Sequence, residues 1–450
     1  MKPSQTRSRL TRQLAAILSL LIFAAPLSAL ASTQVLVGGN VSIQFSGFGY
    51  GLGGYGAATN VGNLMSAFPV AGTLSSLYVK VATVPGGVTT RTFTIRKNQV
   101  ATALTCTIDS AQTTCNDLSN TITFAVGDTV DIFHTDTGTP ANSAAGWSVV
   151  FTPTVANETV FFSSTANGGS SAYTFFPLGG GLQSVGSESL MSRVMPEAGV
   201  MDTLLATTTS IVEGSELLSI WQNAATSTLQ CTIMAGSLDH CNDNVHTLTI
   251  AQGETISVGQ ASTSASGKLN FKGSANVRFV PTTAGNFDLL ARVGNDSASA
   301  PIYGNLTQHD AGGTVVTVEA TSSAPIAANT TFTSMTLSRT AAPGSGKFAT
   351  TTLRVNGADS TLQCVLTGTG SGDGITTKTC TGSVAVVAGD LVNWKLDLTS
   401  GGTVGTTKIG LVGTNVVADP EDEATPARLM RLFKGMQIQI IHGRMQIHRQ

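Results

Sequence analysis

Three groups of residues in this chain have the types and spacing to do chemistry. Six cysteines fall into three pairs, Cys106 with Cys115, Cys231 with Cys241 and Cys364 with Cys380. Paired thiols either close disulfides in an oxidising compartment or bind zinc as thiolates. Beyond each pair an acidic residue follows a glycine, at Gly127-Asp128, Gly253-Glu254 and Gly389-Asp390, and loop carboxylates are calcium ligands. His134 stands between Asp131 and Asp136, the makings of an acid–base group.

Weighed one by one, most of this chemistry falls away. Zinc wants Cys and His clustered at short spacing. The six histidines are scattered, and His240 beside Cys241 has no counterpart at Thr114 or Thr379. Six cysteines allow 15 pairings; the repeat described below selects Cys106–Cys115, Cys231–Cys241 and Cys364–Cys380. Calcium needs six to eight converging oxygens, and one carboxylate per turn is far short. Asp109 and Asp117 add carboxylates near the first pair and Asp239 and Asp243 near the second, but the third copy offers only Asp373. Turn-forming is the expected role of the acids. No Gly-x-Ser-x-Gly elbow lies near His134, and on one strand Asp131 and Asp136 point to opposite faces. A glycosidase carboxylate pair would come from distant strands, and the sequence favours none. The expectation is a chain with no catalytic residues, no metal and no cofactor.

The elements that hold these residues are copied. Ser227-Thr-Leu-Gln-Cys231-Thr-Ile233 returns as Ser360-Thr-Leu-Gln-Cys364-Val-Leu366 and, more loosely, as Thr102-Ala-Leu-Thr-Cys106-Thr-Ile108. Phe279 and Pro281 close one unit 128 residues after Phe151 and Pro153 close another. Three tandem units follow, over 32–155, 156–283 and 284–418. Each holds seven or eight short runs of apolar alternation in about 130 residues, without sustained 3.6-residue periodicity, which is the pattern of an antiparallel β-sandwich. The fold class expected is all-β.

The strand order, the long first loops and the Val-x-x-Gly-Asp-x-Val step, as at Val386 to Val392, resemble the tumour-necrosis-factor-like jelly rolls of secreted bacterial surface proteins. In that family three jelly rolls pack about a threefold axis. The resemblance therefore implies three jelly-roll-like repeats, arranged either as a pseudo-threefold head or as beads on a string.

Residues 1–31 read as a secretory signal: Lys2, Arg7, Arg9 and Arg12, an apolar run from Leu14 to Leu27, and Ala29-Leu30-Ala31 before the expected mature start at Ser32. No later run is apolar for long enough to span a membrane as a helix. Only 11% of the residues are charged. From Ser32 to Ala418, 15 Lys and Arg face 22 Asp and Glu, a net charge of −7 without a basic cluster, so nucleic acid is not an expected partner. The tail, residues 419–450, opens with an acidic Pro-bearing linker and holds a basic and apolar stretch, Arg428 to Lys434, and an alternating one, Met436 to Ile441.

These features point outside the cell, to a structural or adhesive surface protein whose partner is a second copy of itself or a glycan ligand. A carbohydrate-binding protein is the alternative, and an extracellular hydrolase ranks third. The expected contact surface is aromatic: Phe48, Tyr50 and Tyr55 in the glycine-rich first loop, and Phe161, Phe162, Tyr173, Phe175 and Phe176 in the second unit. Trp147, Trp221 and Trp394 occupy unlike places in their units and read as packing residues.

Overall fold

A computed structural model describes residues 32–43, 46–53, 65–165, 173–180, 186–209, 212, 214–236, 240–262, 271–296, 301–307, 316–368, 376–400, 402–415, 436–441 and 444–449. The segment 1–31, expected to be a signal, and the basic stretch at 428–434 lie outside these residues.

Strands dominate because apolar side chains recur at every second residue. The first sandwich comprises β1 (Gln34–Ile43), β2 (Phe48–Tyr50), β3 (Ser66–Ala67), β4 (Gly72–Val81), β5 (Thr90–Lys97) and β6 (Val100–Ile108). It is completed by β7 (Thr114–Phe124), β8 (Thr129–Thr137) and β9 (Ser143–Pro153). The second has β10 (Thr159–Phe161), β11 (Ser164–Thr165), β12 (Tyr173–Phe176), β13 (Arg193–Val194) and β14 (Gly199–Thr208). It continues with β15 (Glu216–Gln222), β16 (Ala225–Ile233), β17 (His240–Ile250), β18 (Thr255–Ser262) and β19 (Gly273–Pro281). The third has β20 (Asn286–Asp296), β21 (Ile302–Gly304), β22 (Ala324–Pro325), β23 (Thr330–Arg339) and β24 (Phe348–Val355). Its last strands are β25 (Ala358–Thr367), β26 (Thr377–Val386), β27 (Leu391–Leu398) and β28 (Gly405–Thr414). In the tail, β29 (Met436–Ile441) pairs with β30 (Arg444–Arg449) as a hairpin. The only helical elements among the described residues are two short 3-10 turns, Glu188–Leu190 and Glu319–Thr321.

The three sandwiches share one topology. Their sheets run β1-β9-β4-β7 and β2-β8-β5-β6, then β10-β19-β14-β17 and β12-β18-β15-β16, then β20-β28-β23-β26 and β21-β27-β24-β25. Leaving out the two-residue strands, each is the order first-eighth-third-sixth facing second-seventh-fourth-fifth, which is the jelly roll. Alternation sets the faces: in β6 Leu104, Cys106 and Ile108 are buried, and in β16 the matching residues are Leu229, Cys231 and Ile233. Each sandwich has its own apolar core, centred on Trp147 and Phe151 in the first, Phe279 and Ile220 in the second and Trp394 and Leu411 in the third.

The sandwiches close into a ring. The short strands β3, β13 and β22 are equivalent, as shared hydrogen bonds fix: Gly127, Gly253 and Gly389 N–H donate to the carbonyls of Phe68, Met195 and Ile326. Besides pairing within its own unit, each lies against a neighbour's sheet of first, eighth, third and sixth strands. β3 packs on β14 and β19, β13 on β20, β23 and β28, and β22 on β1, β4 and β9. Edge meets face from first to second, second to third and third back to first. Of the two arrangements open to the sequence, the fold adopts the pseudo-threefold one.

Candidate functional site

All six cysteines are spent in disulfides, Cys106–Cys115, Cys231–Cys241 and Cys364–Cys380. Each links the outermost strand of one sheet to the outermost strand of the other: β6 to β7, β16 to β17 and β25 to β26. The bond therefore closes the open side of the sandwich, and no thiolate remains to bind a metal.

The three acidic turns are a copied latch. Asp128 Oδ2 accepts the Ala125 N–H at 2.7 Å, and Glu254 and Asp390 accept those of Ala251 and Val387 at 2.7 and 2.9 Å. The other carboxylate oxygen takes the amide of an asparagine in the neighbouring β5–β6, β15–β16 or β24–β25 turn: Asn98, Asn223 or Asn356, at 2.8 to 2.9 Å. These asparagines hold φ of 51°, 51° and 50°, as a tight hairpin turn demands. Each returns its own Oδ1 to the backbone N–H of Thr129, Thr255 or Leu391. Burial pushes the Asp128 carboxyl upward, but hydrogen bonds from Lys97, Asn98 and Ala125 outweigh it and hold the group below its ordinary value. Sequence reasoning found the acid but missed the asparagine, which lies about 30 residues away.

The carboxylates near the disulfides are equally occupied. Asp117 accepts N–H groups of Thr105, Ser119 and Asn120, and Asp243 those of Gln230, Val245 and His246, pinning equivalent irregularities in β7 and β17. In the third unit Gly382 falls at this place, two residues after its second cysteine, against the Leu362 side chain. Asp239 and Asp373 lie outside the described residues. Among the described residues no three His, Cys, Asp or Glu side chains converge as metal ligands.

His134 is fully buried beside Phe93, with its Nε2 2.5 Å from Asp136 Oδ1 and 3.1 Å from Arg91 Nη1. Asp131 faces the other side of β8 and pairs with Arg96, whose guanidinium covers the Phe133 ring at 4.0 Å. Arginine neutralises carboxylates across the body: Arg278 takes Glu158 and Asp202, Arg339 takes Asp296, and Arg354 takes Glu319 and Asp359. At Asp131 burial outweighs the pairing with Arg96 and holds the carboxyl above its ordinary value.

The aromatic contact surface requires correction. Tyr50, Phe161, Phe162, Phe175 and Phe176 are all buried, and Phe48 is half-buried against the first core. Tyr55 and the side chain of Tyr173 lie outside the described residues. The glycine-rich segment from Gly47 to Tyr50 folds inward as β2, because Tyr50 packs against Trp147 at 5.5 Å. Phe162 meets Phe68 of the first sandwich edge-on at 5.1 Å. These aromatics form cores and seams. Trp147 and Trp394 are fully buried, and their indole N–H groups bind the Leu52 and Asn305 carbonyls.

What the structure brings together is the axis of the ring. Register makes Val37, Phe162 and Leu290 equivalent, and each joins a neighbour's core: Val37 the third, Phe162 the first and Leu290 the second. A cavity of about 20 Å³ lies between them. It is lined by Leu36, Phe161 and Leu289, by Gly53, Gly179 and Thr307, and by Gln34, Val160 and Asp288. Gln34 exchanges two hydrogen bonds with the Val160 backbone at 2.9 and 2.8 Å, and Thr307 donates to the Val37 carbonyl at 2.9 Å.

Lysines cross two of the seams. Lys80 Nζ crosses to the Ala320 carbonyl and Ser323 Oγ, and Lys408 Nζ to Ser192 Oγ, the residue equivalent to Ser323. Burial pushes both ammonium groups down, Lys408 to about 8. Cross-seam lysines carry no periodic signal, which is why the sequence did not reveal them.

No protein-family model and no curated protein matches the sequence.

Proposed function

We propose that this chain is a secreted, non-enzymatic structural or adhesive surface protein, a single-chain counterpart of a three-subunit jelly-roll head. The closed edge-to-face ring of three disulfide-linked sandwiches carries this reading. A ring of this kind fixes three outer faces relative to one another without needing assembly from separate chains. A disulfide across the open side of each sandwich and one acid–asparagine latch in each suit a protein that must survive unfolding stress and proteases outside the cell. The arginine-neutralised carboxylates and fully bonded acidic turns weigh against a hydrolase. Burial of Tyr50, Phe161, Phe162, Phe175 and Phe176 removes these five from any stacking platform for a glycan, while hydroxyls such as those of Thr105 and Thr107 face outward.

Negative-stain electron microscopy of Ser32 to Gln450 without reductant tests the assembly reading. Filaments, sheets or larger closed particles support a subunit of an extracellular assembly. Isolated three-lobed particles that bind a defined glycan saturably would replace it with the carbohydrate-binding reading.

A further inference from the structure

At one position the second seam differs in kind from the other two. Residues equivalent to Val70 on the packing edge are Glu197 and Ala328, and residues equivalent to Val35 on the first strand are Val160 and Asp288. Val70 and Val160 share one apolar cluster at the first seam, and Ala328 packs on the cluster holding Val35 at the third. The second seam has two carboxyl groups instead, Glu197 and Asp288.

Neither is satisfied in the way carboxylates normally are. Asp288 is fully buried, and neither of its oxygens accepts a hydrogen bond from an N–H or O–H of the protein. Glu197 accepts one, from Asn286 Nδ2 at 2.9 Å, and its Oε1 has no such donor. The cavity beside Asp288 is lined largely by Leu36, Val37, Val160, Phe161 and Leu289. What remains to each acid is the other, and two carboxyl groups bond to each other only when one carries a proton.

We propose that Glu197 and Asp288 share a single proton across the seam between the second and third sandwiches, and that losing it under alkaline conditions loosens the ring at that seam. Two like charges at close range in an apolar site cannot both form cheaply. Burial first, and then the charge of Glu197, push Asp288 well above the ordinary carboxylate range, and burial raises Glu197 as well. No described cation offsets the pair. At the same seam Lys408 feels Glu188, Arg292 and Arg193, Arg193 feels Arg292, and Glu158 beside β10 is held by Arg278.

The sign follows from linkage. The folded state keeps a proton that the unfolded chain releases at about pH 4, so stability falls as pH rises from there through the raised folded value. For one proton the unfolding constant grows about tenfold per pH unit across that window.

The decisive comparison is wild type against Glu197→Ala/Asp288→Val, which copies the Ala328–Val35 pair of the third seam. Urea unfolding is followed from about pH 5 to about pH 9. The proposal expects the ratio of the two unfolding constants to climb with pH by up to about tenfold per unit. A flat ratio overturns it. Infrared spectra at neutral pH supply the second readout, which does not require the double variant to fold. Wild type should show a protonated-carboxyl band that Asp288→Asn lacks; absence of the band in wild type overturns the proposal. Wild-type stabilisation by added calcium, absent in Asp288→Asn, would make the pair a cation site and overturn it too.

Discussion

Gly410 of the third sandwich lies so close beneath Val194 of the second that a Cβ on it would come 2.6 Å from the Val194 carbonyl oxygen. Pro196 closes the other side, its Cδ at 2.9 Å. The neighbouring seam has a comparable contact, with a Cβ on Gly146 falling 2.7 Å from the Ser323 carbonyl and 2.9 Å from the Ala324 Cα. Backbone, unlike a flexible side chain, cannot step aside, so these glycines set how closely sheet and edge approach. Gly410→Leu should therefore cost at least the 1–3 kcal/mol typical of overpacking. Urea denaturation of the full body reads this as a lower midpoint. An unchanged midpoint would mean that the seam yields freely and that the ring is not a rigid unit.

The latch predicts a second set of outcomes. Asp128→Ala removes the acceptor for Ala125 and Asn98 together and should destabilise by about 1–3 kcal/mol. Because hydrogen bonding holds Asp128 below its ordinary value, its contribution is present above about pH 4 and is lost as pH falls through the folded value. Thermal unfolding of wild type with and without calcium separates the latch from a metal site. A calcium-dependent rise in wild type that Asp128→Ala abolishes would overturn the turn assignment.

How far the sequence foretold this molecule depended on whether a contact leaves a periodic or a copied trace. Strand alternation around Leu104, Cys106 and Ile108 did, and so did the cysteine spacing and the glycine–acid turns. The ring did not: Lys80 meets Ser323 across 243 residues, and Asn305 reaches the Gly38 carbonyl across 267. Nothing in local pattern marks such partners. The aromatics misled for a related reason. Glycine-rich surroundings at Tyr50 read as a loop that presents an aromatic contact surface, yet the Trp147 ring offered a buried place only the folded chain contains.

Each disulfide spans a short loop, with separations of 9, 10 and 16 residues. Chain entropy assigns each about 3 kcal/mol before any strain is subtracted. Replacing Cys231 and Cys241 by serine should lower stability by roughly 2–3 kcal/mol while leaving the second sandwich folded, since Ile220, Phe279, Met201 and the rest of the apolar core that the two cysteines join are kept. Circular dichroism and urea unfolding together check this. Loss of the β signal at neutral pH without denaturant would show instead that the sandwich cannot form without its bond.

Lys408 gives the most specific dependence on pH. Desolvation lowers its ammonium to about 8; Glu188 opposes that shift, and the charges of Arg292 and Arg193 add to it. A base depressed in the folded state is charged in both states below about pH 8, where the native fold bears the full cost of burying it. Between about 8 and the ordinary 10.5 the folded protein has shed a proton that the unfolded chain still holds, so stability rises with pH in that interval. Lys408→Met keeps the apolar stem and removes the charge, losing the bond to Ser192 and the attraction of Glu188. It should stabilise the chain by up to about 3 kcal/mol at neutral pH and by progressively less towards pH 10. This slope opposes that of the Glu197–Asp288 pair, so each variant must be compared with wild type at every pH. A Lys408→Met protein less stable than wild type at pH 7 would show that the Ser192 bond outweighs desolvation, and that the lysine fastens the seam rather than straining it.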